Sequence, residues 1–140
     1  MKFWDSSCLV PCLVEEAASR EALRLLKEDP DVIVWWASPM ECLAALWRKS
    51  RSKEITRSSF QFANEQLEKL AGHAHIINPA DIVFDRAKRL LAVHPLGAHD
   101  ALQLAAALVW TRERPSGAYF LCLDAQLRVA AEREGFSLQP

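Results

Sequence analysis

The chain has 140 residues, of which 51% are hydrophobic and 25% charged, with a formal net charge of -1. That length suits one domain, 1–140, with its own core, and the composition excludes a disordered or fibrous chain. The near-zero charge excludes broad electrostatic attraction to nucleic acid and leaves only a local basic patch as a route to it.

The run Lys2-Phe3-Trp4 predicts a short first strand. A helix is expected from Ser6 or Ser7, interrupted near Pro11 and resuming through Glu15-Glu16-Ala17-Ala18. Leu23, Leu25 and Leu26 give it an apolar face, and Asp29-Pro30-Asp31 breaks it. Val32-Ile33-Val34-Trp35-Trp36 is a continuous apolar run, as in a strand covered on both faces. Ser38-Pro39-Met40-Glu41 predicts a helix start with a capping box. That helix carries Leu43, Ala44, Leu46 and Trp47 and fades in the polar run from Arg48 to Lys53.

Ser58 or Ser59 opens the next predicted helix, with Phe62, Leu67 and Leu70 on its face and Gly72 as its stop. His75 to Ile77 reads as a short strand, and Asn78-Pro79 as the cap of a helix ending near His94-Pro95. Leu96-Gly97-Ala98-His99 is a predicted loop, and Asp100 opens an alanine-rich helix running to about Arg112. Arg114 to Gly117 makes a turn, and residues 118–123 form another buried strand. A helix from Ala125 is closed by Gly135, and Phe136-Ser137-Leu138 is a final edge strand. Alternating strands and helices imply a three-layer α/β/α sandwich with a central, mainly parallel sheet of Rossmann-like topology.

The first residues lack the charged, apolar and small-residue parts of a signal peptide. The longest apolar stretch, Ala101 to Trp110, is too short to span a bilayer. A cytoplasmic protein without membrane contact is therefore expected. Its four cysteines, Cys8, Cys12, Cys42 and Cys122, lie in apolar surroundings and read as buried reduced thiols. Cys8 and Cys12 stand one helical turn apart, but no paired Cys or His motif follows at zinc-site spacing.

Asp5, Glu41, Asp100 and Asp124 sit where strand-like or loop segments give way to helices. Singly, each has a structural role open to it: Asp5 and Asp124 as helix N-caps, Glu41 as the partner in a capping box, Asp100 as a first-turn acid. Jointly they form a pattern. Ligands of an open α/β sheet bind outside the carboxyl ends of its strands, so acids from distant segments can meet there. Four carboxylates share a cleft as anions only if a cation neutralises them. Mg²⁺ and Mn²⁺ take oxygen ligands and retain waters, so the pattern points to metal-assisted hydrolysis of phosphate esters. Arg48, Lys49, Arg51, Lys53 and Arg57 form a basic run just beyond the Glu41 helix that either meets a phosphate backbone or is a solvated helix end. Trp35 and Trp36, adjacent on a strand, are expected to be core rather than stacking platforms.

A phosphoacceptor receiver would want paired acids after the first strand and a lysine after a late one. A haloacid-dehalogenase-type phosphatase would want Asp-x-Asp, where this chain has Asp5-Ser6-Ser7. Both rank well behind. At the same residues the chain resembles the PIN-domain nucleases, and among them the VapC toxins of toxin–antitoxin pairs. Phe3-Trp4-Asp5-Ser6-Ser7, Ser38-Pro39-Met40-Glu41, the run from Leu96 to Ala105 with Asp100, and Leu121-Cys122-Leu123-Asp124 look like the four acidic motifs of that family.

The resemblance implies a PIN-like fold and a Mg²⁺- or Mn²⁺-dependent endoribonuclease. Asp5 and Asp100 would be the main metal ligands, and Asp124 would complete the site directly or through water. Glu41 would bind metal through water or help take a proton from the attacking water, and Ser7 would hold Asp5 in place. It also implies an RNA substrate, a cognate antitoxin and a homodimer. The helix faces at Leu9 to Val14 and Leu43 to Trp47 are candidates for the antitoxin contact. Cys122 departs from the Ser or Thr usual two residues before the fourth acid, and a thiol is a poor hydrogen-bond partner there. The alternative is a PIN-like module with weak or lost turnover that acts through its partner.

Overall fold

A computed structural model describes residues 1–140. Five strands form one sheet: β1 (Lys2–Trp4), β2 (Val32–Trp35), β3 (His75–Ile77), β4 (Tyr119–Leu121) and β5 (Ser137–Gln139). Their order is β3-β2-β1-β4-β5, and every pairing is parallel. The sheet is thus parallel throughout.

Side chains of a strand alternate between its faces, and this alternation builds two cores. Phe3, Ile33, Trp35 and Phe120 face one side, where α5 (Asp81–Val93), α6 (Ala98–Trp110) and α7 (Ala125–Arg133) cover them. Trp4, Val32, Val34 and Leu121 face the other, under α1 (Ser6–Leu13), α2 (Ser19–Glu28), α3 (Ser38–Arg51) and α4 (Arg57–His73). Phe3 stacks on Phe120 at 5.3 Å between ring centroids, across the β1–β4 pair. Each fully buried aromatic or leucine contributes about 1.5–3 kcal/mol by leaving water.

Several local expectations are corrected. Pro11 lies inside α1 rather than ending it, and the break falls at residues 14–18. A proline removes one helical bond, and α1 ends two residues later with the Pro11 ring buried. Gly72 lies inside α4, which ends at His73 with Ala74 extended toward β3. The α4 N-cap is Thr56, whose hydroxyl accepts from the Ser59 N–H at 3.1 Å. Asn78 and Pro79 do not cap α5; its N-cap is Ala80, with Asp81 supplying the favourable first-turn charge. Helix α6 starts at Ala98, so His99 and Asp100 belong to its first turn. Gly135 closes α7 as expected, at φ 102°, with Gly135 N donating to Glu132 O and Phe136 N to Ala131 O.

From β1 the chain passes through α1 and α2 to β2 on one side, while β4 lies on the other. The strand order therefore switches direction between β1 and β4. That is where an open parallel sheet leaves a crevice at its carboxyl end.

Candidate active site

A cleft of about 630 Å³ opens at this crevice, and Asp5, Glu41, Asp100 and Asp124 all line it. They come from four places: the end of β1, the first turn of α3, the first turn of α6, and the start of α7. Ser7, Arg48, Lys49 and His99 line it too.

Asp5 is the most enclosed of the four, 4% exposed. It caps α1, its Oδ2 accepting from Ser7 N at 2.9 Å and from the Ser7 hydroxyl at 2.5 Å. Burial pushes its carboxyl above the usual carboxylate range, against those bonds, and the charges of Glu41 and Asp100 push the same way. Asp100 is also raised, by burial first; His99 opposes, its Nε2 3.1 Å from Asp100 Oδ1, while Asp124 and Glu41 add repulsion. Asp124 caps α7 by accepting from Leu127 N at 2.8 Å through Oδ1.

Glu41 departs from the expected capping box. The N-cap of α3 is Ala37, with no side-chain cap, and Ser38 is the first helical residue. The Ser38 hydroxyl instead turns inward and donates to Gln103 Oε1 at 3.2 Å, and Gln103 Nε2 donates to Glu41 Oε2 at 2.9 Å. Glu41 is thereby held toward the cleft by a fully buried amide from α6.

Cys122 forms part of the floor. Its Sγ accepts from Asp124 N at 3.3 Å and stands 3.7 Å from Asp5 Oδ2 and 3.8 Å from the Ser7 hydroxyl. Burial, with Asp5 next in effect, pushes the thiol up to about 12, so it remains neutral. Cys8, Cys12 and Cys42 are free thiols as well, Cys8 and Cys42 buried and Cys12 half-buried.

The basic run divides. Arg48 and Lys49 line the cleft, and Lys49 pairs with Glu16 at 2.6 Å and Glu54 at 3.1 Å. Arg51, Lys53 and Arg57 are exposed and do not line it. Trp36 is not core: it leaves the sheet after β2 and is 58% exposed, whereas Trp35 is buried.

The helix faces expected to be free for a partner are mostly occupied. Leu9, Val10, Leu13, Val14 and Leu46 are buried in the core, because α1 and α3 pack against each other and the sheet. Of those two segments only Ala44 and Trp47 are exposed, Trp47 at 47% with its ring 4.3 Å from that of Phe60.

No three His, Cys, Asp or Glu side chains are gathered closely enough to enclose a metal ion by themselves. Asp5, Glu41 and Asp124 each have an oxygen engaged by a protein donor. No helix is long and apolar enough to cross a membrane.

Sequence reasoning did not find Gln103, nor the place of His99 on the cleft wall. Gln103 had a signal: it is the sole polar residue of α6 after Asp100.

No protein-family model and no curated protein matches the sequence. Solved structures do match the fold. FitAcB from Neisseria gonorrhoeae superposes with a TM-score of 0.68 at 14% identity, covering 100% of this chain and 97% of that one. A toxin–antitoxin complex from Klebsiella pneumoniae gives 0.66 at 16% identity, over 90% of this chain and 88% of that one. PAE2754 from Pyrobaculum aerophilum gives 0.64 at 19% identity, over 98% and 87%. The chain thus has a PIN-like α/β fold, a five-stranded parallel sheet flanked by seven helices. It shares that fold with these solved structures over nine-tenths or more of its length.

Proposed function

We propose that the protein is a Mg²⁺- or Mn²⁺-dependent endoribonuclease of the VapC kind. The observation that carries this is the arrival of four carboxylates, from four separate segments, in one cleft at the switch point of a parallel sheet. Such an arrangement opposes itself. Burial and mutual repulsion raise Asp5 and Asp100, and a hard cation relieves both effects.

The donor chemistry fits that cation. The lining carboxylates offer hard oxygens, and Asp5, Glu41 and Asp124 each keep one oxygen that no protein group donates to. No three of these side chains are close enough to hold an ion unaided, so an ion bound here would draw on water for part of its shell, as Mg²⁺ does. The buried thiol of Cys122 stays protonated and does not compete. When bound, Mg²⁺ or Mn²⁺ supplies charge neutralisation at the phosphate and activation of water for in-line attack.

Asp5 and Asp100 would hold the ion, and Asp124 would complete the set. Glu41 would bind the ion through water or accept a proton from the attacking water. Ser7 fixes Asp5, and Arg48, which lines the cleft without an ion-pair partner, meets the phosphate backbone, offsetting the repulsion of the acids. RNA as substrate, a cognate antitoxin as inhibitor and a homodimer as the assembly rest on the likeness to PIN-domain toxins.

The test is cleavage of RNA with Mn²⁺ and with chelator, wild type beside Asp5→Asn, with product ends identified. Cleavage that requires Mn²⁺ and Asp5 supports the proposal; equal cleavage by Asp5→Asn, or with chelator, overturns it. The absence of a closed ligand cage and the thiol at Cys122 favour a second reading, a module of weak turnover acting through its partner. Antitoxin binding by a wild type that leaves RNA intact in Mn²⁺ would select it.

A further inference from the structure

We infer that Gln103 is a positioning residue: with Ser38 it fixes the carboxylate of Glu41 in the orientation that serves the cleft. The inference rests on the metal-dependent reading above. Gln103 and Ser38 are both completely buried, and they join residues 62 and 65 positions apart in sequence. A buried amide amid the alanines and leucines of α6 disfavours folding unless its polar atoms find partners.

The polarity of the chain of bonds follows from the charge at its end. An ionised carboxylate only accepts, so the Gln103 amide must turn its NH₂ toward Glu41. Its oxygen then faces Ser38, whose hydroxyl must donate. Glu41 is held through Oε2, leaving Oε1 for the cleft. Groups that orient a metal-site carboxylate in this way typically govern affinity roughly 10- to 100-fold.

The experiment compares wild type, Gln103→Met, Glu41→Ala and the double variant. Methionine matches the volume of glutamine and suits a helix, so the core is retained; thermal unfolding verifies it. Mn²⁺ affinity is read by calorimetry, and the Gln103 side-chain amide by its ¹H–¹⁵N resonance. Gln103→Met is expected to bind Mn²⁺ about 10-fold more weakly. The double variant is expected to bind no more weakly than Glu41→Ala, because Gln103 acts through Glu41. In metal-free protein, Glu41→Ala is expected to move the Gln103 amide resonance.

Wild-type Mn²⁺ affinity in Gln103→Met, or losses that add in the double variant, overturns the inference while leaving the metal reading intact. An unmoved amide resonance in Glu41→Ala also overturns it, whether or not metal binds. A wild type that binds no Mn²⁺ overturns the metal reading and this role with it.

Discussion

The hydroxyl of Ser7 accepts a hydrogen bond from the backbone N–H of Leu123 at 2.9 Å, joining residues 116 positions apart. The same hydroxyl donates to Asp5. One small side chain therefore ties the end of β1 to the segment after β4 across the crevice, and fixes the most buried acid between them.

Ser7→Ala removes both bonds at once. It is expected to lower stability by about 1–2 kcal/mol in urea unfolding, the range for two partly buried hydrogen bonds. It is also expected to weaken Mn²⁺ binding about 10-fold, since Asp5 keeps only the Ser7 backbone N–H and the weak thiol of Cys122. A variant matching wild type in both measurements would show the tie to be idle.

The acids predict an inverse relation between stability and function. Asp5 and Asp100 stand above their ordinary value of 3.8 in the folded protein. Between that value and the raised ones, the folded state binds more protons than the unfolded chain. Stability therefore falls as pH rises through this window and stays lower above it. With chelator at neutral pH, Asp5→Asn and Asp100→Asn are expected to melt higher than wild type, though cleavage is lost. Glu41→Gln is expected to slow cleavage about 100-fold or more, as loss of a general base does. Mn²⁺ at a hundred times its dissociation constant should stabilise wild type by about 2.7 kcal/mol at pH 7, and by less at pH 5, where protons compete. Stabilisation independent of pH would contradict the carboxylate site.

The sheet was legible because its strands are short and flanked by breakers, and its inner strands are largely apolar: Val32 to Trp35 is buried at every position. The acids were legible because each begins or nearly begins a helix. What failed were inferences from local chemistry that tertiary contacts override. Ser38 followed by Glu41 has the spacing of a capping box, yet the hydroxyl gains more from a buried amide 65 positions away than from its own helix end. Pro11 and Gly72 have breaking residue types, yet packing carries both helices through them. Trp36 continues an apolar run, yet β2 has ended before it. Gln103 stood out as a lone polar residue in an apolar helix, but its role was beyond reach, because its partners lie on a helix that only the fold brings near.

A second charged cluster gives the opposite pH response from the acids. Glu134, at the end of α7, accepts from His94 at 2.7 Å and from the Arg89 guanidinium. Burial would raise its carboxyl, but the bonds from Arg89 and His94 prevail and hold it below the usual range. This contribution is present above the ordinary glutamate value of 4.5 and is lost as pH falls through the lowered one. Glu134→Ala strands the buried His94 ring, whose Nδ1 already lacks a partner. The expected loss is about 1–3 kcal/mol in unfolding. RNA cleavage at 25 °C is expected to be unchanged, because Glu134 lies at the opposite end of α7 from Asp124. Lost cleavage in a folded Glu134→Ala would extend the working site beyond the cleft.

Cys122 offers the sharpest single-atom test. Its sulfur sits among Asp5, Ser7 and the Asp124 N–H, at 3.3 to 3.8 Å. A hydroxyl is a stronger donor and acceptor than a thiol, and its shorter bonds draw the same partners closer. Cys122→Ser is therefore expected to hold Asp5 and Asp124 more firmly and to tighten Mn²⁺ binding severalfold, with faster cleavage. Two effects oppose in stability. The new hydrogen bonds contribute about 1 kcal/mol, and the lost packing of a wholly buried sulfur removes a similar amount. The melting temperature should consequently move little while affinity rises. A serine variant that binds Mn²⁺ no better than wild type would mean that backbone N–H groups and Ser7 already orient the acids, leaving the residue at 122 free to serve packing alone.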